Sequence, residues 1–111
     1  EFNMSLRFPN KDPDETLDYS VDWSRFLGSA TISGSAVWAV NNASNAKTTL
    51  SATGTVNGLT STAQTISTDL QTATINLSAG TNNTDYTLFC TVTDSNGITA
   101  ERSIKLRIRQ K

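Results

Sequence analysis

Residues 85–109 constrain the fold more than any other stretch. Tyr86, Leu88, Cys90 and Val92 alternate with Thr87, Phe89 and Thr91. After Asp94-Ser95-Asn96-Gly97 the alternation resumes through Ile98, Ala100, Ile104, Leu106 and Ile108. A period of two belongs to a pleated strand with one apolar face. Two such strands around a tight turn make a hairpin, and side-chain chemistry sets its register. A three-residue loop, Ser95-Asn96-Gly97, places Gly97 where a left-handed residue is needed. It pairs Val92 with Ala100, Leu88 with Ile104 and Tyr86 with Leu106. A two-residue Asn96-Gly97 loop sets Leu88 against Lys105, which a buried face does not tolerate. The outer face of the second strand then carries Lys105, Arg107, Arg109 and Lys111 in a row. Arg102 falls inward opposite Cys90, which calls for a bulge at Glu101–Ser103 or a buried partner such as Asp69.

The rest of the chain repeats the β pattern more weakly. Glu1-Phe2-Asn3 precede Met4 and look like a cloning remnant or an upstream start, so fold reasoning begins at Met4. Residues 4–16 hold Pro9 and Pro13 and form an extended N-terminal arm, because proline donates no backbone hydrogen bond. Residues 17–111 form the β domain. Leu17, Tyr19, Val21 and Trp23 share one strand face. Trp23–Leu27 makes one short turn that Gly28 stops. Ala30–Val40 is a second strand, with Gly34 marking a bulge or a close backbone approach. Asn41–Lys47 is a loop. Leu50–Val56 and Leu59–Ile66 flank Asn57-Gly58, a two-residue hairpin signal. Their faces are mostly Ser, Thr and Ala, so they belong at a sheet edge with weakly specified register. Gln71–Ser78 points Ala73, Ile75 and Leu77 inward. Gly80–Thr84 turns the chain into the long hairpin. Trp23 and Trp38 are two large core plugs or interface anchors. About seven short strands in 111 residues predict one all-β domain, an antiparallel β-sandwich of Ig-like or jelly-roll type.

Composition narrows the chemistry. The chain has no histidine, one cysteine and a net charge of −1. The commonest general base and metal ligand is missing. Ser–His and Cys–His pairs cannot form, zinc has one thiol to bind, and no intrachain disulfide is possible. Cys90 reads as a small buried hydrophobe. The glycines are isolated, so no loop cradles phosphate. No metal, cofactor or catalytic residue is assigned. Near-neutral charge and the absence of aromatics in the basic row argue against nucleic acid. No apolar run reaches membrane-spanning length and no secretion signal appears. The acids Asp12, Asp14, Glu15, Asp18 and Asp22 lack the glycine and terminal glutamate of an EF-hand loop.

These acids sit at the front of the chain and the bases in its last strand. Charges two residues apart along a strand lie about 7 Å from each other, within a Debye length of about 8 Å. The basic row therefore repels itself, and an acidic partner surface relieves it. The candidate interface comprises Asp12, Asp14, Glu15, Asp18, Asp22, Lys105, Arg107 and Arg109, with outward Phe89 as a further contact.

The string Lys11-Asp12-Pro13-Asp14-Glu15-Thr16-Leu17-Asp18-Tyr19-Ser20-Val21-Asp22-Trp23-Ser24, followed by Leu27-Gly28, carries a resemblance, as does Glu101-Arg102-Ser103-Ile104 after its Ser-Asn-Gly turn. Together they resemble small β-sandwich accessory virion proteins of tailed, short-tailed bacteriophages. Some of that group are fibre–tail adaptors, and others are capsid decoration, cement or staple proteins. The resemblance implies a non-enzymatic structural protein, located in the virion and present in many copies. The leading expectation is a decoration protein that clamps neighbouring major capsid proteins as a symmetric homodimer or higher multimer. The second is a fibre–tail adaptor in the tail or neck. A third is an Ig-like carbohydrate- or surface-binding module, which needs an exposed aromatic platform that Phe89 alone would supply.

Overall fold

A computed structural model describes residues 6–41, 44 and 46–110. These residues form nine strands and one helical turn: β1 (Leu6–Arg7), β2 (Leu17–Asp22), α1 (Ser24–Leu27), β3 (Val37–Asn41), β4 (Lys47–Thr49), β5 (Thr55–Val56), β6 (Leu59–Ile66), β7 (Thr72–Ala79), β8 (Thr84–Thr93) and β9 (Thr99–Ile108). Two sheets pack face to face. Sheet A runs β1-β9-β8-β3-β4 and sheet B runs β2-β7-β6-β5. This is the expected all-β sandwich. Its pairings are antiparallel except that β1 lies parallel to β9.

The long hairpin is the spine of sheet A. Val92 pairs with Ala100, Leu88 with Ile104 and Tyr86 with Leu106, as the apolar pattern requires. Gly97 takes a φ of 85° in the three-residue loop. The Asp94 amide donates to the Ile98 carbonyl at 2.8 Å. Its Oδ1 accepts from the amides of Asn96 and Ile98, both at 2.9 Å, and so fixes the tip. Tyr86, Leu88, Cys90, Ile104, Leu106 and Ile108 are buried against Ala73, Ile75 and Leu77 of β7 in the opposite sheet. Each such aliphatic side chain contributes about 1.5–3 kcal/mol when removed from water. Trp23 and Trp38 are both 1% exposed and plug the core.

The predicted Asn57-Gly58 turn is present, with φ of 54° and 83° and Val56 paired to Leu59. Two other expectations change. The strand expected over Ala30–Val40 shortens to β3, and Ile32 makes an isolated bridge to Asp94. Gly34 takes a φ of 73° with open space where a side chain would be, so it bends the chain and marks neither a bulge nor a close approach. The segment Leu50–Val56 is not one strand. β4 precedes it in sheet A, and the chain crosses to sheet B before β5 begins. Its Ser, Thr and Ala residues offer no apolar stripe to hold a strand, whereas Leu50 is a buried plug (1% exposed) at the crossing.

Arg102 is the third correction. The β8–β9 register runs past Cys90 and Arg102 without a shift, so no bulge forms. The guanidinium lies instead over the Trp23 ring, 4.5 Å from its centroid, and Nη1 donates to the Asp22 carbonyl at 3.3 Å. A cation is tolerated at this inward position because an aromatic face and a carbonyl meet it at the sandwich rim. The buried Trp23 indole N–H has no hydrogen-bond partner among the described residues.

The segment before β2 is tied down along β9. The Phe8 amide donates to the Lys105 carbonyl, the Lys11 amide to the Arg107 carbonyl, and the Arg109 amide to the Lys11 carbonyl, at 2.8–2.9 Å. Phe8 is buried and stacks on Tyr19 at 4.5 Å. The segment thus joins the β9 edge of sheet A to β2 at the edge of sheet B.

Candidate interaction surfaces

Phe89, Lys105 and Arg107 on one side and Asp18 and Asp22 on the other fall on two opposed sheet faces, because each strand must first turn its apolar residues inward, while Asp12, Asp14 and Glu15 lie in the turn before β2. On β9, burying Ile104 and Leu106 sends Lys105 and Arg107 outward, and both are exposed. Arg109 follows beyond the end of the strand. Its Nη2 lies 2.8 Å from Asp85 Oδ1, and Arg107 Nε lies 3.7 Å from Asp85 Oδ2. Lys105 Nζ donates to the Thr87 hydroxyl at 3.2 Å. One aspartate therefore answers two arginines. Lys111 lies outside the described residues.

Phe89 points outward on the same face and is half-buried. Lys47 Nζ sits over its ring, 5.3 Å from the centroid, and also pairs with Glu101. That hydrogen bond from Lys47 is the chief reason the Glu101 carboxyl sits below its usual range. Phe89 is thus capped by a cation and is not a bare stacking platform.

The acids lie elsewhere. Asp12 and Glu15 close a turn. The Asp12 amide donates to Glu15 Oε1 at 2.9 Å and the Glu15 amide to the Asp12 carbonyl at 3.0 Å. Asp12 is buried, and its Oδ1 accepts from the Asp14 amide at 2.8 Å. Asp14 is exposed. On β2, burying Tyr19 and Val21 sends Asp18 and Asp22 to the outer face of sheet B. Asp18 accepts from Asn76 Nδ2 at 2.8 Å. Asp22 accepts from the Ser24 amide at 2.9 Å, and that bond holds its carboxyl below the usual range. Asp18 and Asp22 therefore lie on the far side of the sandwich from the basic row.

Three charged residues matter that the sequence reading left out. Asp85 neutralises part of the row. Its place was implicit in the register, since pairing Tyr86 with Leu106 sets Asp85 beside Arg107. Lys47 covers Phe89, and nothing in its polar surroundings signals this. Lys11 is the largest departure. It is 0% exposed, and its ammonium donates to the carbonyls of Ala79 at 2.6 Å and Asp12 at 2.9 Å.

A small cleft of about 130 Å³ opens between the start of β3 and the end of β6, lined by Ser35, Ala36, Trp38, Ala52, Gln64 and Ile66 among others. No ionisable side chain lines it. Among the described residues, no three His, Cys, Asp or Glu side chains are grouped to hold a metal ion.

The fold is a two-sheet sandwich that presents charged side chains on opposed faces. Comparison with known families points to a bacteriophage virion. The model of the family described as podophage GP4 fiber-tail adaptor protein gp77 matches residues 11–107, and the chain belongs to this family. No curated protein matches the chain. The match begins at Lys11, the buried lysine, and covers all the strands from β2 to β8 and nearly all of β9.

Proposed function

We propose that this chain is a non-enzymatic adaptor that joins a fibre to the tail of a podophage virion. The family match across residues 11–107 carries the proposal, since it covers almost the whole sandwich and the family is described by that role. It favours the adaptor over the capsid decoration protein that headed the expectations from sequence. The structure is compatible with the role. Charged sheet faces suit contacts with neighbouring virion proteins, through Lys105, Arg107 and Arg109 on one side and Asp18 and Asp22 on the other. Binding to the folded form adds stability by mass action, which suits a thin domain. A carbohydrate-binding module is less well supported, because Lys47 occupies the face of Phe89.

Cryo-electron microscopy of virions bearing a tagged copy of the chain tests this. The expected result is density at the tail vertex, between tail and fibre. Density spread over the capsid shell would establish the decoration role and overturn the proposal.

A further inference from the structure

We propose that copies of this chain associate head to tail, with the outer face of sheet A of one copy against the outer face of sheet B of the next. This goes beyond the adaptor reading and does not depend on it.

The charges are segregated by face. Among the described side chains, the outer face of sheet A carries Lys47, Lys105, Arg107 and Arg109 against Asp85 and Glu101, which leaves two positive charges in surplus. The strands of sheet B contain no lysine or arginine, and their charges are Asp18 and Asp22. The packed sheets are about 10 Å apart, and outward side chains add to that distance. The charges of the two faces are therefore too far apart to form ion pairs within one molecule.

Symmetry then selects the contact. A two-fold dimer through sheet A opposes the basic row to itself, and one through sheet B opposes aspartates to aspartates. Only sheet A on sheet B brings opposite charges together. Asp18 and Asp22 are four residues apart on one strand face, about 13 Å, and Lys105 and Arg107 two apart on the other, about 7 Å, so each pair lies along a single strand. Ser20, Thr74 and Asn76 on one face and Thr87 and Thr91 on the other are short and polar, and Phe89 and the exposed Val37 stand beside the latter. Such a contact is heterologous, so it closes into a ring or continues as a filament. Exposed ion pairs are individually weak, so the association depends on concentration and salt.

Two neutralised variants test the proposal. Asp18→Asn/Asp22→Asn removes the acidic face while keeping groups that can make the Asn76 and Ser24 hydrogen bonds. Lys105→Gln/Arg107→Gln removes the basic surplus. Circular dichroism melting first confirms that both fold. In sedimentation at low ionic strength, the unaltered chain should exceed the dimer mass as concentration rises. It should return to monomer near 1 M salt, where the Debye length is about 3 Å. Each variant alone should be monomeric. An equimolar mixture should stop at a one-to-one heterodimer, because each molecule keeps one competent face. An unaltered chain that stays monomeric at low salt overturns the proposal. So does a salt-insensitive dimer that both variants retain, or a mixture that remains monomeric. None of these outcomes bears on where the protein sits in the virion.

Discussion

Replacing Lys11 with methionine isolates the contribution of the buried ammonium, since methionine keeps most of the apolar stem and removes the charge. The carbonyls of Asp12 and Ala79 then lose a donor that now sits 2.9 and 2.6 Å away. A buried group left without its partner costs about 1–3 kcal/mol. The gain from no longer desolvating an ammonium offsets part of that. The expected net loss is about 2–4 kcal/mol. Unfolding entropy is about 2.1 cal/mol/K per residue, or about 0.23 kcal/mol/K for this chain, so the melting temperature should fall by about 9–17 °C. Lys105→Met is the control, an exposed lysine whose loss should stay within about 0.5 kcal/mol. Hydrogen exchange supplies a second readout. The amides of Phe8, Lys11 and Arg109, which bond the first segment to β9, should lose protection in Lys11→Met before those of β7. A melting point for Lys11→Met equal to or above that of the unaltered chain would show the buried charge to be a net liability and refute this reasoning.

Three further outcomes follow from the same geometry. Gly80→Ala should destabilise by about 1–3 kcal/mol, because Gly80 has a φ of 100° and a methyl there would stand 2.9 Å from Ile108; urea unfolding measures it, and an unchanged midpoint would contradict the close approach. Arg102→Ala should cost about 1 kcal/mol and shift tryptophan emission to longer wavelength as the Trp23 face is uncovered; emission that does not move would remove the ring contact from the account. Stability should fall more steeply on the alkaline side than on the acid side. Burial pushes the Cys90 thiol from 9.0 up to about 12, and burial, with the Glu15 charge, raises the Tyr19 hydroxyl from 10.0 to about 12. The unfolded chain loses these protons first, so stability present below pH 9 is lost as pH rises toward 12. Asp22 and Glu101 are shifted down, so their contribution is lost as pH falls below the ordinary carboxylate range. Both are exposed, which keeps the acid limb shallow. Denaturation midpoints across pH check the asymmetry, and a steeper acid limb would sink it.

The β8–β9 hairpin was legible because apolar and polar residues alternate strongly there and Gly97 allows one loop length. β7 was legible for the same reason. The region from Ala30 to Val56 was not, because Ser, Thr and Ala gain too little from burial to declare a face. There the strand boundaries are set by which backbone groups the neighbouring strands leave free. The two inward cations were hidden for different reasons. The place of Arg102 was derivable from register, but its partner, the Trp23 ring, belongs to the far end of the chain and to no local pattern. Lys11 lies between Pro9 and Pro13 in aperiodic sequence, where no alternation marks a side as inward, so only the three-dimensional meeting with Ala79 explains its burial.

The placement of charge is a consequence of the core. On β2 the apolar residues occupy odd positions, so Asp18 and Asp22 must face out. On β9 the apolar residues occupy even positions, so Lys105 and Arg107 must face out of the other sheet. The acid-first, base-last order of the chain becomes two opposed faces because the segment from Phe8 to Lys11 runs along β9 and then crosses to start β2 in sheet B. The two cations that break this outward rule are the ones the interior can answer, Lys11 with carbonyls and Arg102 with an aromatic face. Turned outward on β9, Arg102 would join the basic face of sheet A; turned inward, it is half-buried at the rim, over the Trp23 ring and beside Asp22.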